Sequence, residues 1–106
     1  MNMQKLMKEA QKAQKKMQEA QERLANLSVT GSAGGGLVTA TASGEGSITA
    51  IKIDPGTVDP EDVELLEDLV MAAVNDAQRK AKELQETEMG AAMGGMGGMG
   101  GLGGMF

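Results

Sequence analysis

The sequence predicts an α+β fold in which a long N-terminal helix is followed by a short strand, a β-hairpin and a second helix. Three observations predict it: a heptad pattern of apolar residues near the start, two alternating runs around a Gly-Glu-Gly turn, and an Asp-Pro-Glu-Asp segment typical of a helix start. The 106 residues correspond to one domain. We expect a small antiparallel sheet of about three strands, flanked by the two helices.

The first helix is predicted over residues 3–27 by apolar residues spaced alternately three and four apart. These residues, called the apolar seam below, are Met3, Leu6, Ala10, Ala13, Met17, Ala20, Leu24 and Leu27. Heptad spacing aligns them along one side of a helix, and the intervening Gln, Lys and Glu are strong helix formers. Such a helix is about 37 Å long, and the middle of its seam is too small to bury much surface. We therefore expect its N-terminal half to project.

The β-structure is predicted by alternating residues between glycine-containing segments. A short first strand is expected at Val29–Ala33, and Leu37–Ser43 and Ser47–Ile53 form a hairpin around the turn Gly44-Glu45-Gly46. In the last run Ile51 and Ile53 share a face whereas Ile48 is out of phase with them, which predicts a β-bulge or strong twist near Thr49.

The second helix is predicted to begin with Asp59 as N-cap and Pro60 at the first helical position. Its inward stripe is predicted to consist of Val63, Leu66, Val70, Ala73, Ala77, Ala81 and Leu84, widened by Leu65, Leu69 and Val74. Because the large residues come first, we expect the N-terminal half of this helix to pack on the sheet. The helix is expected to fray at Met89-Gly90.

The composition predicts a small core that a second subunit completes. Residues 90–106 contain nine glycines with methionines between them, and are expected to be a disordered tail to a domain at 1–89. That domain has no aromatic residue, and small single cores supply only about 3–5 kcal/mol. No charged-then-apolar leader opens the chain, and the longest apolar run is Leu69–Val74. We expect a soluble cytoplasmic homodimer without a membrane segment.

Charge is distributed unevenly along the chain, although the net charge is −5. Residues 1–27 carry six basic and three acidic side chains, whereas the remainder carries four basic and twelve acidic ones. The basic residues of the first helix fall on rows off the apolar seam, beside a row of glutamines, and are Lys5, Lys8, Lys12, Lys15, Lys16 and Arg23. Lysine supplies charge for phosphates, so this surface is a candidate for duplex DNA binding. A solvated, helix-promoting surface is the alternative.

Other candidate sites favour structural interpretations. Arg79, Lys80 and Lys82 are lesser DNA-contact candidates that equally complement the end of the second helix. Gly34-Gly35-Gly36 lacks a following Gly-Lys-Ser/Thr, so we interpret it as a flexible link rather than a phosphate loop. The acidic residues at the start of the second helix complement the helix dipole. Without Cys or His, no nucleophile–base pair or typical metal site can be assembled, so we expect a non-enzymatic protein without cofactors or small-molecule substrates.

Several segments in a fixed order resemble the YbaB/EbfC family of bacterial nucleoid-associated proteins. They are Gly34-Gly35-Gly36-Leu37-Val38, Ile51-Lys52-Ile53-Asp54-Pro55, Asp59-Pro60-Glu61-Asp62 and Leu66-Glu67-Asp68-Leu69-Val70. The resemblance covers about residues 1–89. It implies a sheet flanked by two helices, a homodimer with projecting helical arms, a location in the nucleoid, and binding of double-stranded DNA with little sequence preference. A protein–protein adaptor in DNA repair or replication is the alternative hypothesis, because the seam near Met3, Leu6 and Met7 would also suit a partner helix.

Overall fold

The computed structural model describes residues 2–94 of the chain and confirms the α+β fold. The elements in chain order are α1 (Met3–Asn26), β1 (Ser28–Ala33), β2 (Val38–Ser43), β3 (Ile48–Ile53), a 3-10 turn (Pro55–Thr57) and α2 (Val63–Gly94). The three strands form one antiparallel sheet in the order β1-β2-β3. The helix α2 runs antiparallel to β1 and then to α1, since Ser32 contacts Asp76 whereas Arg23 contacts Glu88.

The first helix extends far beyond the sheet. Asn2 caps it, with its side-chain oxygen accepting the backbone N–H of Gln4 at 3.0 Å. Residues 2–12 are exposed on every side, and burial within α1 begins only at Ala20 and Leu24. The molecule is accordingly elongated, at 71 × 28 × 16 Å. We call residues 2–16 the arm.

The sheet is a simple meander with one bulge. Thr41 pairs with Ala50 and Ala42 with Ile48, so Thr49 is an extra residue on β3, and its hydroxyl donates to the Thr41 carbonyl oxygen at 3.3 Å. The predicted bulge is thereby confirmed. The interpretation of residues 34–36 as a flexible link between helix and hairpin was wrong. These glycines have φ of 64°, 70° and 99° and form the turn between β1 and β2, a conformation that glycine adopts without steric cost.

The core lies between α2 and the sheet and consists mostly of small residues. Val38, Ala40 and Ala42 of β2 are fully buried. They face a row on α2 that is equally buried, formed by Ala73, Ala77 and Ala81. The expected packing of the N-terminal half of α2 on the sheet is confirmed, because Leu66, Leu69 and Val70 pack against this core. Alanine allows the two backbones to approach closely, whereas Leu65 remains half exposed.

Both ends of α2 differ from the predicted ones. Asp59 does not cap the helix, because its carboxylate accepts the N–H of Glu61 at 2.9 Å within a separate turn. The helix begins at Val63, and Asp62 accepts the N–H of Leu65 at 3.3 Å in the capping position. The helix also continues through Gly90 to Gly94, with Ala92 buried. The rest of the predicted tail, residues 95–106, lies outside the described residues.

Candidate nucleic-acid interface

The arm carries five exposed lysines that are not neutralised by the part of the chain the structure describes. They are Lys5, Lys8, Lys12, Lys15 and Lys16. Within residues 2–94, none of them forms an ion pair. From Lys5 to Lys16 the arm rises about 17 Å, and duplex DNA presents one phosphate charge per about 1.7 Å of its axis. The ammonium groups therefore form a positive surface comparable in length to half a turn of duplex.

The sixth basic residue of α1 has a different environment. The Nε of Arg23 donates to Glu88 of α2 at 3.0 Å, and the two side chains form an ion pair. This contact links the two helices where α1 leaves the body of the protein. No local sequence pattern predicts this ion pair, because the partners are 65 residues apart. Arg23 therefore holds α1 against α2, in addition to any contact that it makes with a ligand.

Gly44, in the turn between β2 and β3, lies against the last turn of α1. The N–H of Gly44 donates to the Leu27 carbonyl oxygen at 2.9 Å, and Gln85 of α2 donates to the Gly44 carbonyl oxygen at 2.8 Å. A Cβ at Gly44 would lie 2.9 Å from the Cα of Leu24 and even nearer to its carbonyl oxygen. The last turn of α1 therefore packs directly against the backbone of the β2–β3 turn.

The basic residues of α2 are largely engaged within the chain. Arg79 pairs with Asp76 at 2.8 Å and with Glu83 at 2.7 Å. Lys80 donates to the Thr30 carbonyl oxygen at 3.0 Å. Lys82 is exposed and forms no ion pair with the described residues. The predicted contact residues are therefore not gathered in one place: five lie on the arm, Arg23 lies between the two helices, and Lys80 contacts β1.

Asp76 joins α2 to the outer edge of β1. Its carboxylate accepts the guanidinium N–H of Arg79 at 2.8 Å and the backbone N–H of Ser32 at 3.1 Å. These hydrogen bonds, above all the one from Arg79, stabilise the charged form and lower the pKa of Asp76 below its usual value. The same pairing raises the pKa of Arg79. The i,i+3 and i,i+4 spacings were readable in the sequence, but the bond to Ser32 was not.

We expect Asp76→Asn to lower the urea midpoint of unfolding at pH 7. The folded pKa of Asp76 is lowered, so its contribution is present above the unfolded pKa and is lost as pH falls through the folded pKa. The difference between wild type and variant should therefore shrink below about pH 4. Urea titrations at several pH values measure it, with Glu86→Gln as an exposed control on the same helix. A difference that does not vary with pH would contradict the assignment.

Between residues 2 and 94, no three carboxylates converge in a way that could hold a metal ion. In the same range, neither helix has an apolar stretch long enough to cross a membrane. The clefts beside α1 are open and are lined partly by glutamine and glutamate side chains. The projecting basic arm is the feature of this surface that is most distinct in charge and shape.

Comparison with known proteins identifies the group to which this architecture belongs. A family model described as the YbaB/EbfC DNA-binding family matches residues 1–96. The chain belongs to this family. The match spans both helices and the whole sheet, so the resemblance inferred from sequence segments is confirmed. YbaB/EbfC membership makes this chain a relative of nucleoid-associated DNA-binding proteins.

Individual YbaB/EbfC relatives are similar over most of their length. A nucleoid-associated protein of Saccharopolyspora erythraea is 54% identical over 93 residues, covering 88% of this chain and 80% of that protein. One of Desulforamulus reducens is 54% identical over 94 residues, covering 89% and 90%. A crystal structure of an uncharacterized protein from Helicobacter pylori matches with a TM-score of 0.71 at 24% identity, covering 82% of this chain and 91% of that one. This last likeness supports the fold alone.

Proposed function

We propose that the protein binds double-stranded DNA with little sequence specificity, as a homodimer whose two arms contact the duplex. The observation that carries the proposal is the arm itself, an exposed helix with five lysines that have no ion-pair partner in the described residues. Membership in a DNA-binding family supports it. The protein would act in the cytoplasm, on the nucleoid, where coating of DNA affects nucleoid organisation and gene expression. It would act without catalysis.

The arm chemistry favours phosphates over base edges. Lysine is a flexible point charge that follows the sugar–phosphate backbone, whereas base-specific contacts most often use the planar fork of arginine on guanine. Residues 2–16 contain no arginine, and Arg23 is paired with Glu88. Gln4 and Gln11 add hydrogen-bond donors that suit phosphate or sugar oxygens. Binding should therefore depend on charge and duplex shape much more than on sequence.

Salt dependence tests this mechanism. Two arms would neutralise about four to eight phosphates and release the corresponding counterions, so a log–log plot of affinity against salt should have a slope of about −4 to −7. Fluorescence anisotropy on several unrelated duplexes, at a series of salt concentrations, measures this slope. A weak salt dependence, or the absence of a complex at low salt, would refute phosphate neutralisation as the mechanism.

The second subunit would close an apolar surface beside α2. On the face of the sheet that α2 covers, β3 contacts the helix far less than β1 and β2 do. Ile51 and Ile53 consequently remain 45% and 38% exposed, although they pair with the buried Ala40 and Val38. Val63 of α2 is 50% exposed. Burial of this surface against a second copy would enlarge a core that is otherwise mostly alanine.

We expect Ile51→Asp to convert the dimer to a monomer without unfolding the chain, because this side chain is already half exposed in a single subunit. Light scattering after gel filtration should then give 10.9 kDa instead of twice that mass. Ala50→Glu is the matched control, since Ala50 is exposed on the opposite face of the same strand. If Ile51→Asp stays dimeric, the dimer closes elsewhere.

A protein–protein adaptor in DNA repair or replication is the second candidate function. It is favoured by the apolar side of the arm, where Met3, Leu6 and Met7 are 69%, 45% and 61% exposed. Pull-down after nuclease treatment separates the two functions. A protein partner retained both after nuclease digestion and after removal of the arm lysines would favour the adaptor.

A further inference from the structure

The arm has two sides, and DNA bound to its lysines would cover one of them. The seam residues Met3 and Leu6, with the adjacent Met7, lie along the other side and are 69%, 45% and 61% exposed. In the heptad frame, Lys8 and Lys15 lie on the row opposite the seam. A duplex held by these lysines therefore leaves the apolar side of the arm in water.

Further along α1, the same seam already accepts an antiparallel helix. Ala20 and Leu24 are buried where α2 crosses them, and the α2 residues Gln85 and Met89 line the cleft beside Leu24. The uncovered part of the seam continues this interface without a change in spacing or residue type. Its apolar character therefore suits a second antiparallel helix.

We propose that the occupant is the arm of a second copy, packed antiparallel when neighbouring dimers lie on DNA. This inference rests on the proposed DNA binding. In the antiparallel register that pairs the free part of the seam with itself, Met3 lies opposite Ala13. Leu6 then lies opposite Ala10, so both layers combine a large residue with a small one. The two-fold axis of this register falls level with residue 8, so the Met7 side chains of the two arms flank it on one side, and the contact is self-complementary.

Charge explains why the contact would form on DNA rather than between free molecules. Residues 2–13 of each arm carry Lys5, Lys8 and Lys12 against Glu9, so two free arms repel each other. The shared helix length is also too short for the roughly 1,000 Å² that a stable interface requires. Phosphates would neutralise the lysines, and adjacent binding would raise the local concentration of arms. The result is cooperative coating of the duplex.

Cysteine crosslinking tests the contact directly, because the chain has no cysteine of its own. Full-length Met7→Cys is treated with a short bismaleimide on duplex DNA, and we expect each crosslink to join one chain of one dimer to one chain of the next. After the DNA is digested, the native mass should therefore correspond to four chains. Gln11→Cys is the matched control, since it keeps every lysine and its position in the heptad frame lies off the apolar seam. Equal crosslinking of both variants, or crosslinks confined to two-chain assemblies, would overturn the proposal.

A double substitution tests the consequence for binding. Leu6→Gln with Met7→Gln keeps every lysine, so we expect affinity for a short duplex that holds one dimer to change less than twofold. On a long duplex the Hill coefficient should fall to about 1, as for independent sites. Met71→Gln, an equally exposed methionine on α2, should leave cooperativity unchanged. If the double variant keeps full cooperativity, arm pairing is refuted but DNA binding is not. If the wild-type protein binds no duplex, DNA binding itself is refuted.

Discussion

Replacing Lys8, Lys12, Lys15 and Lys16 together with glutamine should weaken DNA binding by at least about 100-fold near 0.1 M salt. Each phosphate contact releases close to one counterion, which corresponds to roughly a tenfold change in affinity at this salt concentration. The variant removes four cations from each arm, but glutamine keeps the helix propensity and much of the side-chain length. The loss should be the same on unrelated sequences, and the salt slope should become shallower.

The matched control removes the same type of charge from the body of the protein. Lys52 and Lys82 are exposed and form no ion pair within the described residues. Lys52→Gln with Lys82→Gln should change affinity far less than Lys8→Gln with Lys15→Gln, although each pair removes two charges per chain. Anisotropy titrations and the dimer mass should be measured on the same samples. Equal losses would mean that net charge, rather than the arm, determines binding.

Gly31→Ala should abolish cooperative folding or lower the free energy of unfolding by more than about 3 kcal/mol. A Cβ at Gly31 would lie 2.5 Å from the Ala73 carbonyl oxygen and nearer still to the Ala77 backbone nitrogen. These are backbone atoms, so no side-chain rotation relieves the clash. The helix α2 would have to move away from β1, which would open the alanine core.

Circular dichroism during urea and thermal unfolding measures this effect. Gly90→Ala is the informative control, because a Cβ there meets nothing within 4 Å and the position is helical. It should stabilise the protein by up to about 1 kcal/mol, the usual gain of alanine over glycine inside a helix. A folded Gly31→Ala protein of wild-type stability would show that α2 does not sit this close to β1.

Local patterns were sufficient to predict the elements and the bulge at Thr49. Heptad spacing predicted α1, and alternation around glycine predicted the strands. The same information was insufficient for the ends of α2. Asp59 and Asp62 both suit a helix N-cap, and the choice between them depends on the turn in which the N–H of Glu61 bonds to Asp59. Gly90 did not end the helix, because α2 continues with Ala92 buried against the rest of the protein.

The sequence by itself determined the family, the order of the elements and the concentration of positive charge in α1, because all three are properties of neighbouring residues along the chain. Tertiary structure decided which charges remain free. Arg23 and Asp76 are engaged by partners 65 and 44 positions away, whereas the arm lysines reach beyond the body. It also decided that small residues form the core, since Gly31 allows the α2 backbone to approach β1. Such contacts depend on distances between segments, which residue spacing along one segment does not encode.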